Sequence, residues 1–350
     1  MLLNRLIRSI VPLVLAGLAG LVVPTAAAQD TPPPSPPSPS LPPFADFLAE
    51  VRTEALSRGI SARTVEAALT RLEPLPIVVE RDRTQAERTL TIDQYLKRRV
   101  DRKTIRTARE RARLHAALLK KVSAQYDVSP SIIVAIWGLE SNFGRFSGVR
   151  PTIASLATLA YDNRRSAMFR EELFAALQMV DRGDIDLAKM KGSWAGAMGQ
   201  PQFMPSSYLE YAEDFDKDGA KDIWGSTADV FASTANFLKQ EGWTAGARWG
   251  MAVTVPPAAG EKIAAAAPLR GTGCEAVRQM TAAIPLARWK QLGVRPAAAR
   301  AVLPRPDTTA SLVRAGSRNF LVFDNYSVLL RYNCAHAYAL AVGLLADQIK

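Results

Sequence analysis

The chain has 350 residues, 48% hydrophobic and 22% charged, and its 44 Lys and Arg outnumber 33 Asp and Glu for a formal charge of +11. These are the proportions of a soluble globular protein, with ample length for one to three structural units and their cores. Two histidines and two cysteines argue against a zinc site and against a hydrolase built on an imidazole base.

Arg5 and Arg8 precede an apolar stretch from about residue 10 to 23, and Ala26-Ala27-Ala28 offers small residues for cleavage before Gln29. That stretch is shorter than the ~20 residues a spanning helix needs and contains Pro12, so residues 1–28 read as a cleaved export signal. No cysteine stands near the cut to carry a lipid anchor, so a soluble periplasmic protein is expected. Losing residues 1–28 removes two arginines and no acid, so the mature chain stays basic and suits an anionic polymer. An exported chain rarely meets nucleic acid, which is therefore not expected as a partner. In an oxidising compartment Cys274 and Cys334 can pair, closing a loop of about 60 residues at roughly 3–4 kcal/mol of stabilisation.

Residues 29–43 are rich in Pro and Ser and read as an extended tether. From Phe44 the pattern turns helical, with Phe47, Val51, Ala55 and Leu56 at helical spacing and Ser61 placed to cap the next helix. A very basic helical stretch runs over 97–121, either a solvated face or a polyanion surface. Ser129-Pro130 then supplies a cap and a first-turn proline for the helix that carries Glu140. Further helices are predicted over 167–182, 206–215 and 228–241. After Gly242 the composition shifts, and residues 243–319 read as an insertion of short strands and turns. Residues 320–350, with a helix over 335–348, return to the helical domain begun at 44–242. There are no internal repeats.

Three segments carry chemistry. In the first, Glu140 is the only acid between Asp127 and Asp162 and ends an apolar run. Helical spacing puts it on the side of Ile133, Ile136 and Trp137. A carboxyl held against such surface should keep its proton to higher pH and could deliver it to a glycosidic oxygen, unless it simply marks a helix end. In the second, residues 191–208 combine glycines with Ser193, Trp194, Gln202, Phe203 and Tyr208, as a ligand wall or a tightly packed loop would. In the third, Asp214, Asp216 and Asp218 alternate before Gly219 like the first half of an EF-hand loop. Ala220 takes its seventh position, but the twelfth is Gly225, so the standard motif fails.

The run Glu-Ser-Asn-Phe-Gly-Arg at 140–145 and Gly-Ala-Met-Gly-x-x-Gln-Phe-Met-Pro-Ser-Ser-Tyr at 196–208 resemble the membrane-bound lytic murein transglycosylase B family. The likeness continues through 152–162, Arg164-Arg165, 214–224, Ala235-Asn-Phe-Leu and Arg331-Tyr-Asn333, over about residues 44 to 345. It implies a mainly α protein: a lysozyme-like catalytic core with a helical N-terminal portion and a small β-containing insertion. It implies cleavage of the β-1,4 link between MurNAc and GlcNAc without water, Glu140 serving as acid and then base. No clear second carboxylate accompanies it, unlike ordinary glycosidases. A hydrolytic muramidase or an inactive wall-binding scaffold are the alternatives.

Carried over by motif, Ser193 and Gln202 would position the sugar, Tyr95 and the pair Tyr332 and Asn333 would line the cleft, and Arg164 and Arg165 would meet stem-peptide carboxylates. Phe237 stands where the family commonly has Tyr, keeping stacking without the hydroxyl. Ser141, Phe143, Phe203 and Tyr208 complete the expected substrate-side set. The family's variant metal loop would close at Asp229 around a structural Ca²⁺ or Na⁺, and no cofactor is expected in the chemistry. Glycan strands and stem peptides are the expected partners, with cell-wall synthesis or division proteins as candidates.

Overall fold

The computed structural model describes residues 41–83, 90–162, 166–298 and 304–349. The expected export signal, most of the tether, and Arg164 and Arg165 lie outside these residues. The first helices are α1 (Phe44–Ser57), α2 (Ala62–Leu69), α3 (Pro76–Arg83), α4 (Ile92–Arg99), α5 (Arg102–Leu114) and α6 (Ala116–Tyr126). Ser61 Oγ accepts from Thr64 N and caps α2 as its position predicts. The basic stretch over 97–121 is three helices rather than one. Asp101 interrupts it by accepting from Thr104 N at 2.7 Å. His115 interrupts it again, its ring held edge-on between Trp137 and Phe231.

Helix α7 (Pro130–Ser141) is the centre of the molecule. Every residue from Ile132 to Leu139 is buried, so the apolar side read from the sequence is the whole circumference. Each such large side chain stabilises the fold by roughly 1.5–3 kcal/mol, which outweighs the β-branched run's weak helix propensity. Pro130 sits in the first turn, where no amide hydrogen is needed. The Ser129 hydroxyl, however, contacts Ser131 Oγ at 2.9 Å and makes no cap bond.

The chain continues through β1 (Arg150–Pro151), α8 (Thr152–Tyr161), α9 (Ser166–Asp181), β2 (Lys191–Gly192), α10 (Pro205–Tyr211) and α11 (Thr227–Gln240). Helices α8, α10 and α9 pack together, α11 lies against α6 and α7, and β1 pairs antiparallel with β2. Expected helix 206–215 stops at Tyr211, because the chain must open into the Asp-rich loop.

The insertion holds β3 (Gly250–Thr254), α12 (Gly260–Ala266), α13 (Glu275–Arg278), β4 (Ile284–Pro285), α14 (Leu286–Gln291), β5 (Arg295–Pro296), β6 (Thr309–Ala315) and β7 (Arg318–Val322). The strands form one antiparallel sheet in the order β4-β6-β7-β3-β5. Alternation gives its two faces different tasks. Val313, Ala315, Phe320 and Val322 join the main core, while Leu312 and Leu321 join a smaller core with Met251 and Trp289. The sheet extends to Val322, beyond the expected boundary at 319, since Phe320 and Val322 pair with β3 and β6.

The β6–β7 turn reaches back to α4, where Asp93 accepts from Ser317 N at 2.8 Å. Helices α15 (Asp324–Tyr332) and α16 (His336–Ala346) complete the core, and α16 packs on α7 and α4. Cys274 and Cys334 form the disulfide, tying the insertion to the α15–α16 turn. Among the described residues no single helix is long and apolar enough to cross a membrane.

Candidate active site

Glu140 stands in the last turn of α7, half-buried between buried Leu139 and Ser141. The helix ends abruptly. Asn142, Phe143 and Gly144 take positive φ values of 51°, 60° and 79°, two of them at non-glycine residues where such a backbone is costly. Phe143 folds back onto Gly138, where an added Cβ would lie 2.6 Å from its ring atoms, so glycine is required there. The Ser141 hydroxyl locks this turn, donating to Trp137 O at 2.9 Å and accepting from Gly144 N at 3.0 Å. Trp137 Nε1 donates to Gln200 Oε1 at 2.7 Å, and Gln200 Nε2 donates to Trp224 O at 2.7 Å. The acid's helix is thereby tied to the Gly-rich segment.

Two phenols, Tyr332 and Tyr338, share the electrostatic environment of Glu140. Burial and then the Glu140 charge push the pKa values of Tyr332 and Tyr338 well above the usual tyrosine range. Tyr95 acts on Tyr338 in turn. The Tyr338 hydroxyl is buried without a well-formed hydrogen bond, and its hydrogen-bonding influence runs to Glu140. Tyr332 Oη donates to Pro201 O at 2.7 Å, and its ring packs on Phe237 at 4.7 Å and Phe203 at 6.0 Å between centroids. From α4, the Arg99 guanidinium donates to Leu139 O, next to the acid.

The Gly-rich segment is a set of tight turns. Met198 and Phe203 exchange backbone hydrogen bonds at 2.7 and 3.0 Å. Gln202 takes φ 54° inside that turn, and its Nε2 donates to Gly199 O at 2.8 Å. Ser193 Oγ accepts from Ala195 N and Ala197 N, each at 3.2 Å.

Away from the cleft, carboxylate oxygens of Asp214, Asp216 and Asp229 lie within 4.8 Å of one another. Asp229, near the start of α11, is fully buried and accepts from Phe215 N and Asp222 N at 2.8 Å each. Burial raises its pKa, against the pull of those backbone donors. Asp218 turns instead to Ala220 N at 2.9 Å, and so stands outside the converging group. Three hard carboxylates, one shielded from water, are a donor set suited to Ca²⁺ or Na⁺.

The family model described as "Transglycosylase SLT domain" matches residues 43–347. The chain belongs to this family. It is 44% identical over 122 residues to the membrane-bound lytic murein transglycosylase B of Escherichia coli (strain K12), an alignment covering 35% of this chain and 34% of that protein. Among solved structures, SltB3 of Pseudomonas aeruginosa in complex with NAG-anhNAM-pentapeptide superposes with a TM-score of 0.77 at 41% identity, over 87% of this chain and 78% of that one. The Escherichia coli lytic transglycosylase Slt35 in complex with calcium gives 0.71 at 27% identity, over 87% and 92%. The two structures match over most of this chain, in a mainly α, lysozyme-like fold.

Within that family frame, the expected site residues divide. Tyr332 feels the Glu140 charge, Tyr95 acts on Tyr338 beside it, and half-exposed Asn333 follows Tyr332 at the end of α15. Ser193 and Gln202 stand in the Gly-rich wall, where their side chains also hold their own turns. Ser141, Phe143, Phe203, Tyr208 and Phe237 were expected on the substrate side, but none exceeds 7% exposure. The four aromatic rings among them pack into the main core. Tyr208, in α10, ties down the Asp-rich loop instead, donating to Lys221 O at 3.1 Å. Sequence reading passed over Tyr338, Gln200 and Arg99. Tyr338 carried a signal: like Glu140, it interrupts a run of small and apolar residues.

Proposed function

We propose that this protein is a lytic transglycosylase of peptidoglycan, cleaving between MurNAc and GlcNAc and closing the product to a 1,6-anhydro sugar. The observation that carries the reading is Glu140 at the end of an apolar helix, its charge acting on the phenols of Tyr332 and Tyr338. An ordinary glycosidase needs two carboxyl groups, one for acid chemistry and one for water or covalent capture. Among the described residues, Glu140 is the one carboxylate whose charge acts on Tyr332.

A single acid suffices where the substrate supplies the rest. Glu140 gives its proton to the leaving GlcNAc oxygen as the bond to the MurNAc anomeric carbon breaks. The 2-acetamido oxygen of MurNAc covers that carbon. The Glu140 carboxylate then takes the proton from the 6-hydroxyl, whose oxygen closes onto the anomeric carbon as the acetamido oxygen leaves it. No water is consumed and Glu140 ends protonated again. The Tyr332 ring and the Gly-rich turn wall the cleft, and Tyr338 steadies the carboxylate. SltB3's capture of NAG-anhNAM-pentapeptide supports an anhydro product and a peptide-bearing substrate.

Asp214, Asp216 and Asp229 would hold a structural Ca²⁺ or Na⁺, whose charge offsets the buried Asp229 carboxylate; the calcium complex of Slt35 supports this. The expected export segment would deliver the enzyme to the murein. The deciding experiment is mass spectrometry of isolated murein digested by wild type beside Glu140→Gln. Anhydro-ended muropeptides lost in the variant are expected; reducing ends from the wild type would refute the mechanism.

A further inference from the structure

Helix α5 carries a stripe that the cleft chemistry does not use. Arg102, Arg106, Arg109 and Arg113 are exposed at positions i, i+4, i+7 and i+11, one face of the helix over about 16 Å. Glu110 is the only acid from 102 to 126. It reaches Arg106 at only 4.0 Å, with both side chains largely in water. Arg109 donates through Nε to Gln348 O. Among the described residues, Arg102 and Arg113 pair with no carboxylate. Exposed Lys97 and Arg98 on α4 and Lys120 and Lys121 on α6 widen the positive field.

The stripe has a fixed place beside the acid. Just ahead of α5, Arg99 donates to Leu139 O, and just behind it His115 packs on Trp137. Both ends of α5 are therefore fastened to the last two turns of the Glu140 helix. Its apolar side is already taken: Ala108 is buried, and Ile105 and Ala112 pack on the main core. A helix that lies in a membrane interface needs that side free for lipid. Leu114, at its last turn, is the one large apolar side chain it exposes; the rest of its outer face is charge, and a row of guanidinium groups fits an array of carboxylates.

We propose that the α5 stripe is a second contact surface for the substrate polymer, binding stem-peptide carboxylates of strands that run past the cleft. This rests on the transglycosylase reading above and extends it from the cut bond to the surrounding wall. Its test is co-sedimentation with intact sacculi and with sacculi stripped of their carboxylate charge by carbodiimide coupling to ammonia. The proteins are full-length Glu140→Gln, to prevent digestion, and the same chain with Arg102→Gln, Arg106→Gln and Arg113→Gln.

Three exposed ion pairs of ordinary strength predict about tenfold weaker binding to intact sacculi. Salt should weaken binding of the parent chain to intact but not stripped sacculi. The corresponding Lys variants should recover most of the affinity. With Glu140 restored, the Gln variants should cleave a short soluble muropeptide at the parent rate, which also reports separately on the lyase chemistry. Equal binding to stripped and intact sacculi, or an unchanged affinity in the Gln variants, overturns the proposal. So does loss of binding only to phosphatidylglycerol vesicles, which would assign the stripe to a membrane.

Discussion

Two carboxylates in this protein are removed from water in different ways. Asp229 is fully buried and held by two backbone N–H groups, so its donors cannot move without the loop moving. Glu140 is half-exposed and kept company by side-chain phenols on α15 and α16. Backbone donors fix a charge in place, which suits a structural cation. A carboxyl that must lose and regain a proton within one turnover is better served by a partly open site with adjustable neighbours. Under the proposed function, the difference separates a structural acid from a chemical one.

The sharpest test of that contrast is to exchange which property is lost. Glu140→Gln should lower release of anhydro muropeptides by about 10³-fold, while the thermal midpoint stays close to wild type. If the variant keeps its turnover, the distinction fails. Asp229→Ala should do the converse. It orphans the amides of Phe215 and Asp222 and should cost about 2–3 kcal/mol in denaturant unfolding, with near-normal activity for the folded fraction. Excess Ca²⁺ should raise the wild-type midpoint and leave that of Asp229→Ala unmoved.

A third buried group extends the comparison to a base. His336 accepts from or donates to Tyr326 Oη at 2.9 Å through Nδ1, and burial lowers its pKa to about 4. Its folded pKa lies below the unfolded value, so the unfolded chain binds the proton more readily. Stability from the neutral ring is present above about pH 6.5 and is lost as pH falls toward 4. Roughly 3 kcal/mol should disappear over that window. Melts of His336→Asn across the same range should be flatter; an unchanged slope would rule this source out.

The smallest effect sharpens the phenol side. Tyr338→Phe removes a buried hydroxyl whose hydrogen-bonding influence runs to Glu140 and leaves the ring in place, so stability should hold. Activity should fall about tenfold, as for one modest hydrogen bond. A carboxylate without that donor keeps its proton more tightly, so the alkaline limb of the pH–rate profile should move up. A purely structural Tyr338 would leave the limb in place.

Much of this arrangement was legible in the chain. The solitary acid at the end of 132–140, the glycines of 191–208 and the aspartates of 214–229 identify the family and its fold class. The cysteine pair could be read as well, since only one pairing exists. These are local patterns, and residue type with spacing is enough to express them. What spacing cannot express is which side of a residue meets the core. Phe203, Tyr208 and Phe237 are aromatic residues in or near the wall, yet tertiary packing turns them inward. Tyr338 arrives at Glu140 from almost 200 positions away because α16 packs on α7. The sequence by itself determined the family and the helical order, and singled out Glu140 as the candidate acid. Only the tertiary structure decided which side chains surround that acid and which merely brace it, because burial and long-range contact belong to the packed chain and not to any stretch of it.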